Sequence, residues 1–308
     1  MTVKPGFRDV LWMATGAVLL LVLMLVVVHL RTEPNPAGQR ALQARKLDLV
    51  AQMRLGLASV SEAEKSSVMA TNDEDSQTFA DQARAATAQV EQQRKALAGL
   101  LATNSTPGET DFLAQFSNVF ADFQHVDDEL LALAVKNTNL KAYSLAFGPA
   151  ADAIAEMDAA LSRLVTKSAD FPDARNVAVL ALGAQTAALR IQALLPPHIA
   201  EESDQKMDEL EARMAAQDQE VHKDLDGLAA IEKLRGDTDL ETAVSSYARF
   251  SEIRARILVL SRENTNVRSL SISLDRKRKV MFLCQDALAA LQHAIQQEQI
   301  VGPAASPR

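Results

Sequence analysis

A stretch of about thirty residues occurs twice in this chain, and each copy carries a helical seam. Phe120–Ala150 and Tyr247–Lys277 align without a gap at an offset of 127 residues. Phe123 matches Phe250, Leu131 matches Leu258, and Asn137-Thr138-Asn139 returns as Asn264-Thr265-Asn266. Apolar residues within and around the copies step by three and four. Examples are Phe116, Val119, Phe123, Val126, Leu130, Leu133, and then Leu140, Tyr143, Phe147, Ala150, Ile154, Met157, Leu161, Leu164. Met207, Leu210, Met214, Gln217 and Val221 continue the pattern in the second half. That spacing aligns one face of a helix and favours left-handed, roughly antiparallel packing. A duplicated helical unit that must bury its own seam is the consequence.

Composition agrees. Aromatics are 4% of the 308 residues, while helix formers such as Ala, Leu, Met, Gln and Glu abound. Proline and glycine fall between the periodic stretches, at Thr106-Pro107-Gly108, Phe171-Pro172-Asp173, Pro196-Pro197 and Arg235-Gly236-Asp237. The pattern predicts helices over 39–71, 73–102, 110–136, 139–168, 174–199, 203–233, 239–263 and 267–300. The expected fold class is all-α: an N-terminal transmembrane helix and two tandem up-down four-helix-bundle repeats, 39–170 and 171–301. Each Asn-Thr-Asn is read as the turn between the third and fourth helices, because Asn tolerates a left-handed backbone and Thr or Asn caps a helix. A helix running straight through is the alternative.

Val10–Leu30 contains no charged residue, long enough at 1.5 Å per residue to cross a hydrocarbon core. A cleaved signal peptide would have a shorter apolar core and an A-x-A-like site, so an uncleaved anchor is the better reading. No second stretch is expected to span, which makes the protein single-pass. Residues 1–9 form a cytoplasmic tail, 31–38 a linker and 302–308 a disordered tail. Lys4 and Arg8 precede the span, whereas Arg31, Arg40, Arg45 and Lys46 follow it, which by the positive-inside count leans towards cytoplasmic bundles.

The net charge of −8 argues against a nucleic-acid partner. No phosphate loop, HExxH or nucleophile elbow occurs, so no enzyme, cofactor or metal is expected. Acidic runs such as Asp73-Glu74-Asp75 and Asp127-Asp128-Glu129 read as solvated faces or first helical turns. The five histidines, His29, His125, His198, His222 and His293, show no ligand spacing and read as surface or helix-end residues. Cys284 lies on a seam and reads as a small core residue. Arg54 and Arg190 hold related places in the two halves. An arginine there could grip a small acid, or lay its stem along the helix with its head in water. Lys277 falls on the seam position of Ala150. It reads as part of a solvated helix start (Arg276-Lys277-Arg278-Lys279), as an anion site in the second bundle, or as a headgroup contact. The two Asn-Thr-Asn triplets could line a pocket instead of serving as turns.

Phe123–Ala150 (FQHVDDELLALAVKNTNLKAYSLAFGPA) resembles the end of the four-helix-bundle ligand-binding domain of methyl-accepting chemotaxis receptors and related sensor kinases. Ser61–Arg84 (SEAEKSSVMATNDEDSQTFADQAR) is similar to the middle of that domain. The resemblance covers most of Arg40–Ser168, and the second half looks like a diverged copy. It implies a periplasmic bundle, a cytoplasmic N-terminus, dimerisation, and small-molecule sensing that pushes on a second membrane helix. These 308 residues contain no second span of that kind and no signalling hairpin. The expectation is therefore an inner-membrane sensory input protein with its bulk in the periplasm. It would bind a small organic ligand, a second copy of itself, or a receptor- or kinase-type partner. A structural or scaffold subunit is the alternative.

Overall fold

A computed structural model describes residues 36–297, and Met24 besides. The tail expected at 1–9, the span expected at 10–30 apart from Met24, residues 31–35 of the expected linker and the tail expected at 302–308 lie outside the described residues. Among the described residues the chain is all-α, with no strand. Its helices are α1 Pro36–Met69, α2 Asp73–Leu101, α3 Pro107–Ala134, α4 Thr138–Phe147, α5 Pro149–Lys167, α6 Ala174–Ala200, α7 Asp204–Ala229, α8 Thr238–Glu263, α9 Thr265–Ile272 and α10 Arg278–Gln297. A π turn, Ser273–Lys277, joins the last two.

Helix starts are written locally. Asn72 Oδ1 accepts the Asp75 N–H at 2.8 Å, and Asp73, Glu74 and Asp75 fill the positive first turn of α2. Thr106 and Glu109 form a capping box at α3, with Pro107 at the first helical position. Asp237 caps α8 after the turn at Gly236, whose φ is +71°.

The packing is not the sequential pairing of 39–170 with itself and 171–301 with itself. One hydrophobic core joins α1, α2 and α3 to α10, from Leu49 through Phe116, Phe120 and Phe123 to Cys284, Leu288, Leu291 and Ile295. The other joins α4 and α5 to α6, α7 and α8, from Ala142 and Met157 through Ile191 and Val221 to Phe250 and Ile257. The fourth helical stretch of each half thus belongs to the core built mainly by the other half. The reason is the length of the breaks. Only 135–137 separate α3 from α4, and Asn264 alone separates α8 from α9. One residue cannot reverse a helix, so each long helix carries on across the boundary instead of folding back.

The two cores therefore lie end to end. The α1–α2 turn and the α6–α7 turn both meet the crossings, forming a waist. Gln43, near the start of α1, donates to the Ile295 carbonyl at 2.6 Å, so both ends of the helical body sit at the same extremity. The far extremity holds 168–173 and 230–237, where Lys167 pairs with Asp237 and Lys233 lies over the Phe171 ring. At 1.5 Å per residue, α3 followed by α4 and α5 spans roughly 85 Å from one extremity to the other.

Two details depart from the seam read off the sequence. Phe147 is 68% exposed, and Ala142, Ala146 and Ala150 face the core in its place. The cause is the break at Gly148-Pro149: Pro149 has no N–H for the Leu145 carbonyl, and the helix turns before α5 begins. Pro196 and Pro197 mark no turn, since α6 runs through both to Ala200.

By length and composition α6 also qualifies as a membrane span, contrary to the expectation of no second candidate. One of its faces is Val177, Ala181, Ala184, Ala188, Ile191 and Leu195, all buried in the second core. Its outer face shows Val179, Leu182 and Leu189.

Candidate functional site: the waist and a buried charge layer

The two Asn-Thr-Asn triplets come together at the waist, and each caps the helix that the other begins. Asn137 and Asn264 adopt the left-handed conformation, with φ of 52° and 53°, and neither uses its own side chain to cap its helix. Instead the Thr138 N–H donates to Thr265 Oγ1 at 3.2 Å, and the Thr265 N–H donates to Thr138 Oγ1 at 3.1 Å. The Asn139 N–H donates to Asn266 Oδ1, and the Asn266 N–H to Asn139 Oδ1, both at 3.1 Å. The first amides of α4 and α9, which a helix leaves without partners, are satisfied reciprocally about a local two-fold.

The remaining polar groups tie this pair to the flanking turns. Asn137 Nδ2 donates to Asp73 Oδ1 at 3.0 Å, and Asn264 Nδ2 to the Glu201 carbonyl at 2.7 Å. Asn139 Nδ2 reaches Asn264 Oδ1 and the Ile199 carbonyl, each at 2.7 Å. Each triplet interrupts its helix at a left-handed Asn, but the chain does not fold back there, so neither a turn between antiparallel helices nor an uninterrupted helix describes it. Their side chains fill the waist with each other, which leaves little of them to line a pocket. An open groove of about 560 Å³ lies beside them, with Ala132, Leu133 and Ile272 as its floor and Glu129, Lys136 and Arg268 at its rim.

The second feature is a charge layer inside the first core. Lys277 is 2% exposed, so it is neither a solvated helix start nor a residue of the second core. Its ammonium bonds Asp127 Oδ1 and sits 3.5 Å from the Phe123 ring centroid. Glu64 Oε2 is 3.8 Å away, and Ser273 donates to Glu64 Oε1 at 2.6 Å. Thr87 closes the layer by donating to Asp127 at 3.4 Å. Burial pushes Glu64 and Asp127 above the usual carboxylate range and pulls Lys277 down.

The π turn explains the register. Ser269, Ser273 and Lys277 step by four and are all buried; such steps drift by roughly 40° each on an α-helix, and the wider turn takes up the drift. Position 275 within it is the repeat equivalent of Gly148, so both copies break their fourth helix at one place. Lys277 lies about 27 Å along α10 from Ile295. Its burial leaves no exposed ammonium for a headgroup contact.

The three residues proposed to grip a ligand are not brought together. Arg54 is exposed on α1 and donates to Gln292 at 2.8 Å. Arg190 is exposed on α6 and donates to Gln217 at 3.4 Å. Lys277 is already held by the protein's own carboxylates.

The sequence missed several buried polar groups. Asp127 belongs to an acidic run read as solvated, yet it lies four residues after Phe123 on the core face. His198 stands near a helix end as read, but it is fully buried. Its Nδ1 is 2.8 Å from Ser261 Oγ and its Nε2 is 2.9 Å from Glu211, which Arg262 also binds. Burial lowers the His198 pKa. The order Ser-His-Glu resembles a nucleophilic triad, but Ser261 is fully buried and donates to the His198 carbonyl, so no substrate reaches it. His125, His222 and His293 are exposed, as read, and His29 lies outside the described residues. Lys46 and Glu109 form a second buried pair at 2.9 Å. Cys284 is buried as read, its thiol pushed up to about 12 by desolvation. Among the described residues no group of three or more His, Cys, Asp or Glu side chains is placed to hold a metal ion.

No protein-family model matches this chain, and no curated protein matches it.

Proposed function

We propose that this protein is a membrane-anchored sensory input protein. Its helical body would stand in the periplasm and bind a small ligand or a receptor-like partner. The apolar stretch 10–30 is its single anchor, and each core acts as a four-helix bundle. The observation that carries the reading is the waist. Two interrupted helices are the paths between the far core and the near one, and they cap each other. A change in the far core therefore reaches the near core, and α10 beside the start of α1, through one small contact.

The groove beside the waist is lined by Lys136, just before Asn137, and by Arg268, four residues after Asn264. Its apolar floor and the cations Lys136 and Arg268 suit a small organic acid. The test has two parts. A periplasm-only reporter fused after Ile300 should be active, and a cytoplasm-only reporter at the same site silent. The full chain in mild detergent should then melt at higher temperature with one member of a panel of organic acids, amino acids and amines, and Arg268→Ala should abolish that rise. Cytoplasmic reporter activity, or no rise across the panel, would overturn direct periplasmic sensing.

A scaffold subunit is the second reading, favoured by the outward apolar face of α6. Co-purification with one fixed partner, lost in Leu182→Glu, would support it.

A further inference from the structure

The charge layer of the first core does not balance when every group in it is ionised. Glu64 and Asp127 are each 1% exposed and Lys277 2%, so two carboxyl groups share one ammonium out of water. An unbalanced charge out of water is strongly disfavoured, and binding a proton removes it. One carboxyl group therefore holds a proton. Geometry selects which. Asp127 bonds the Lys277 ammonium directly and receives Thr87 as well, so it is the ionised partner. Glu64 Oε2 stands 3.8 Å from Lys277 Nζ, too far for a hydrogen bond, and its other oxygen receives only the neutral Ser273 hydroxyl.

We propose that Glu64 is a proton-binding site inside the first core, occupied at neutral pH, and that loss of its proton acts on the π turn Ser273–Lys277, which supplies the two side chains nearest its carboxyl oxygens.

The groups that act on Glu64 are Lys65 on its own helix, Asp127 from α3, and Ser273 and Lys277 from the π turn; Thr87 and Asp128 act on Asp127, and Cys284 acts on Lys277. Lys65 is exposed and faces water. Burial raises Glu64, the negative Asp127 raises it further, and Ser273 and Lys277 oppose without prevailing. The folded state keeps the proton above the ordinary value of 4.5, whereas the unfolded chain has released it. Stability from this group is full below that value and is lost as pH rises towards the raised one. Once ionised, Glu64 competes with Asp127 for Lys277 and loosens the turn that carries it.

The test uses the full chain in detergent at pH 7. Infrared difference spectra between wild type and Glu64→Gln should show the carbonyl stretch of a protonated carboxylic acid in wild type alone. Glutamate labelled with ¹³C at the carboxyl carbon should shift that band, and aspartate labelled likewise should not. Glu64→Gln keeps an acceptor for Ser273, so it should fold, and amide protection across 273–277, taken relative to the intrinsic base-catalysed rate, should fall with pH in wild type but not in the variant. No band, a band that survives Glu64→Gln, or a shift with aspartate label in place of glutamate label would each overturn the assignment. Pocket binding and topology do not enter these readouts, so this result stands or falls apart from the sensory reading.

Discussion

Replacing Thr138 by Val tests the reciprocal caps most sharply, because the substitution keeps the branched shape and removes only the hydroxyl. Thr138 Oγ1 accepts the Thr265 amide at 3.1 Å and lies 3.2 Å from Thr265 Oγ1, and both residues are buried. Losing the acceptor orphans a buried N–H, which costs about 1–3 kcal/mol, and losing the hydroxyl pair removes about 1 kcal/mol more. Thr265→Val should lose a similar amount, since it orphans the Thr138 amide by the mirror-image contact. The double variant should lose less than the two singles together, by roughly 1 kcal/mol, because the hydroxyl pair is then counted once. Urea unfolding followed by circular dichroism gives the energies. Amide exchange gives the signature: Thr138→Val should speed exchange at residue 265, and Thr265→Val at residue 138. Exchange that rises only at the substituted residue's own end, or two singles that add without remainder, would refute reciprocal capping.

Other expectations follow from single residues. Asn264→Ala and Asn264→Gly lose the same side-chain bonds, but only Ala must hold a Cβ at φ 53°; the alanine variant should be the less stable by about 1–2 kcal/mol in the same unfolding assay. Lys46→Met leaves Glu109 buried without its 2.9 Å partner and should cost about 3–5 kcal/mol, most of it recovered in Lys46→Met with Glu109→Gln. Burial depresses the His198 pKa below its ordinary 6.5, so its contribution is present above that pH and is lost as pH falls through the depressed value. Melting curves from pH 7 downwards should therefore fall less steeply for His198→Gln than for wild type.

Much of the helical layout was legible, because three-and-four spacing, capping residues and proline breaks are local signals. Phe116, Phe123, Ile154, Met157, Leu161 and Val221 were placed in cores and are buried. What did not show was which core each fourth helix joins. Spacing marks the face a helix buries but not its neighbour. Here the neighbour is set by whether one left-handed Asn reverses the chain or merely interrupts it. The triplets were visible as a repeat, yet their mutual contact depends on two segments meeting in space. Asp127, Glu64 and His198 escaped because a charged or polar residue on a seam is ordinarily solvated. Only the surrounding burial shows that these three are held inside. Phe147 was misplaced because Gly148-Pro149 rotates the helix between two stretches that look continuous in register.

The mutual capping at the waist bears on how such a chain could have arisen. A half-length ancestor carrying a single Asn-Thr-Asn could not satisfy its own crossing, since each triplet takes its partners from the other. Two identical half-chains could satisfy both, with their fourth helices exchanged and a true two-fold axis where Thr138 now faces Thr265. Fusion of those halves would turn an assembly that depends on concentration into one fixed by covalent linkage. It would also free each half to vary alone; Ala150 and Lys277 differ at one shared position.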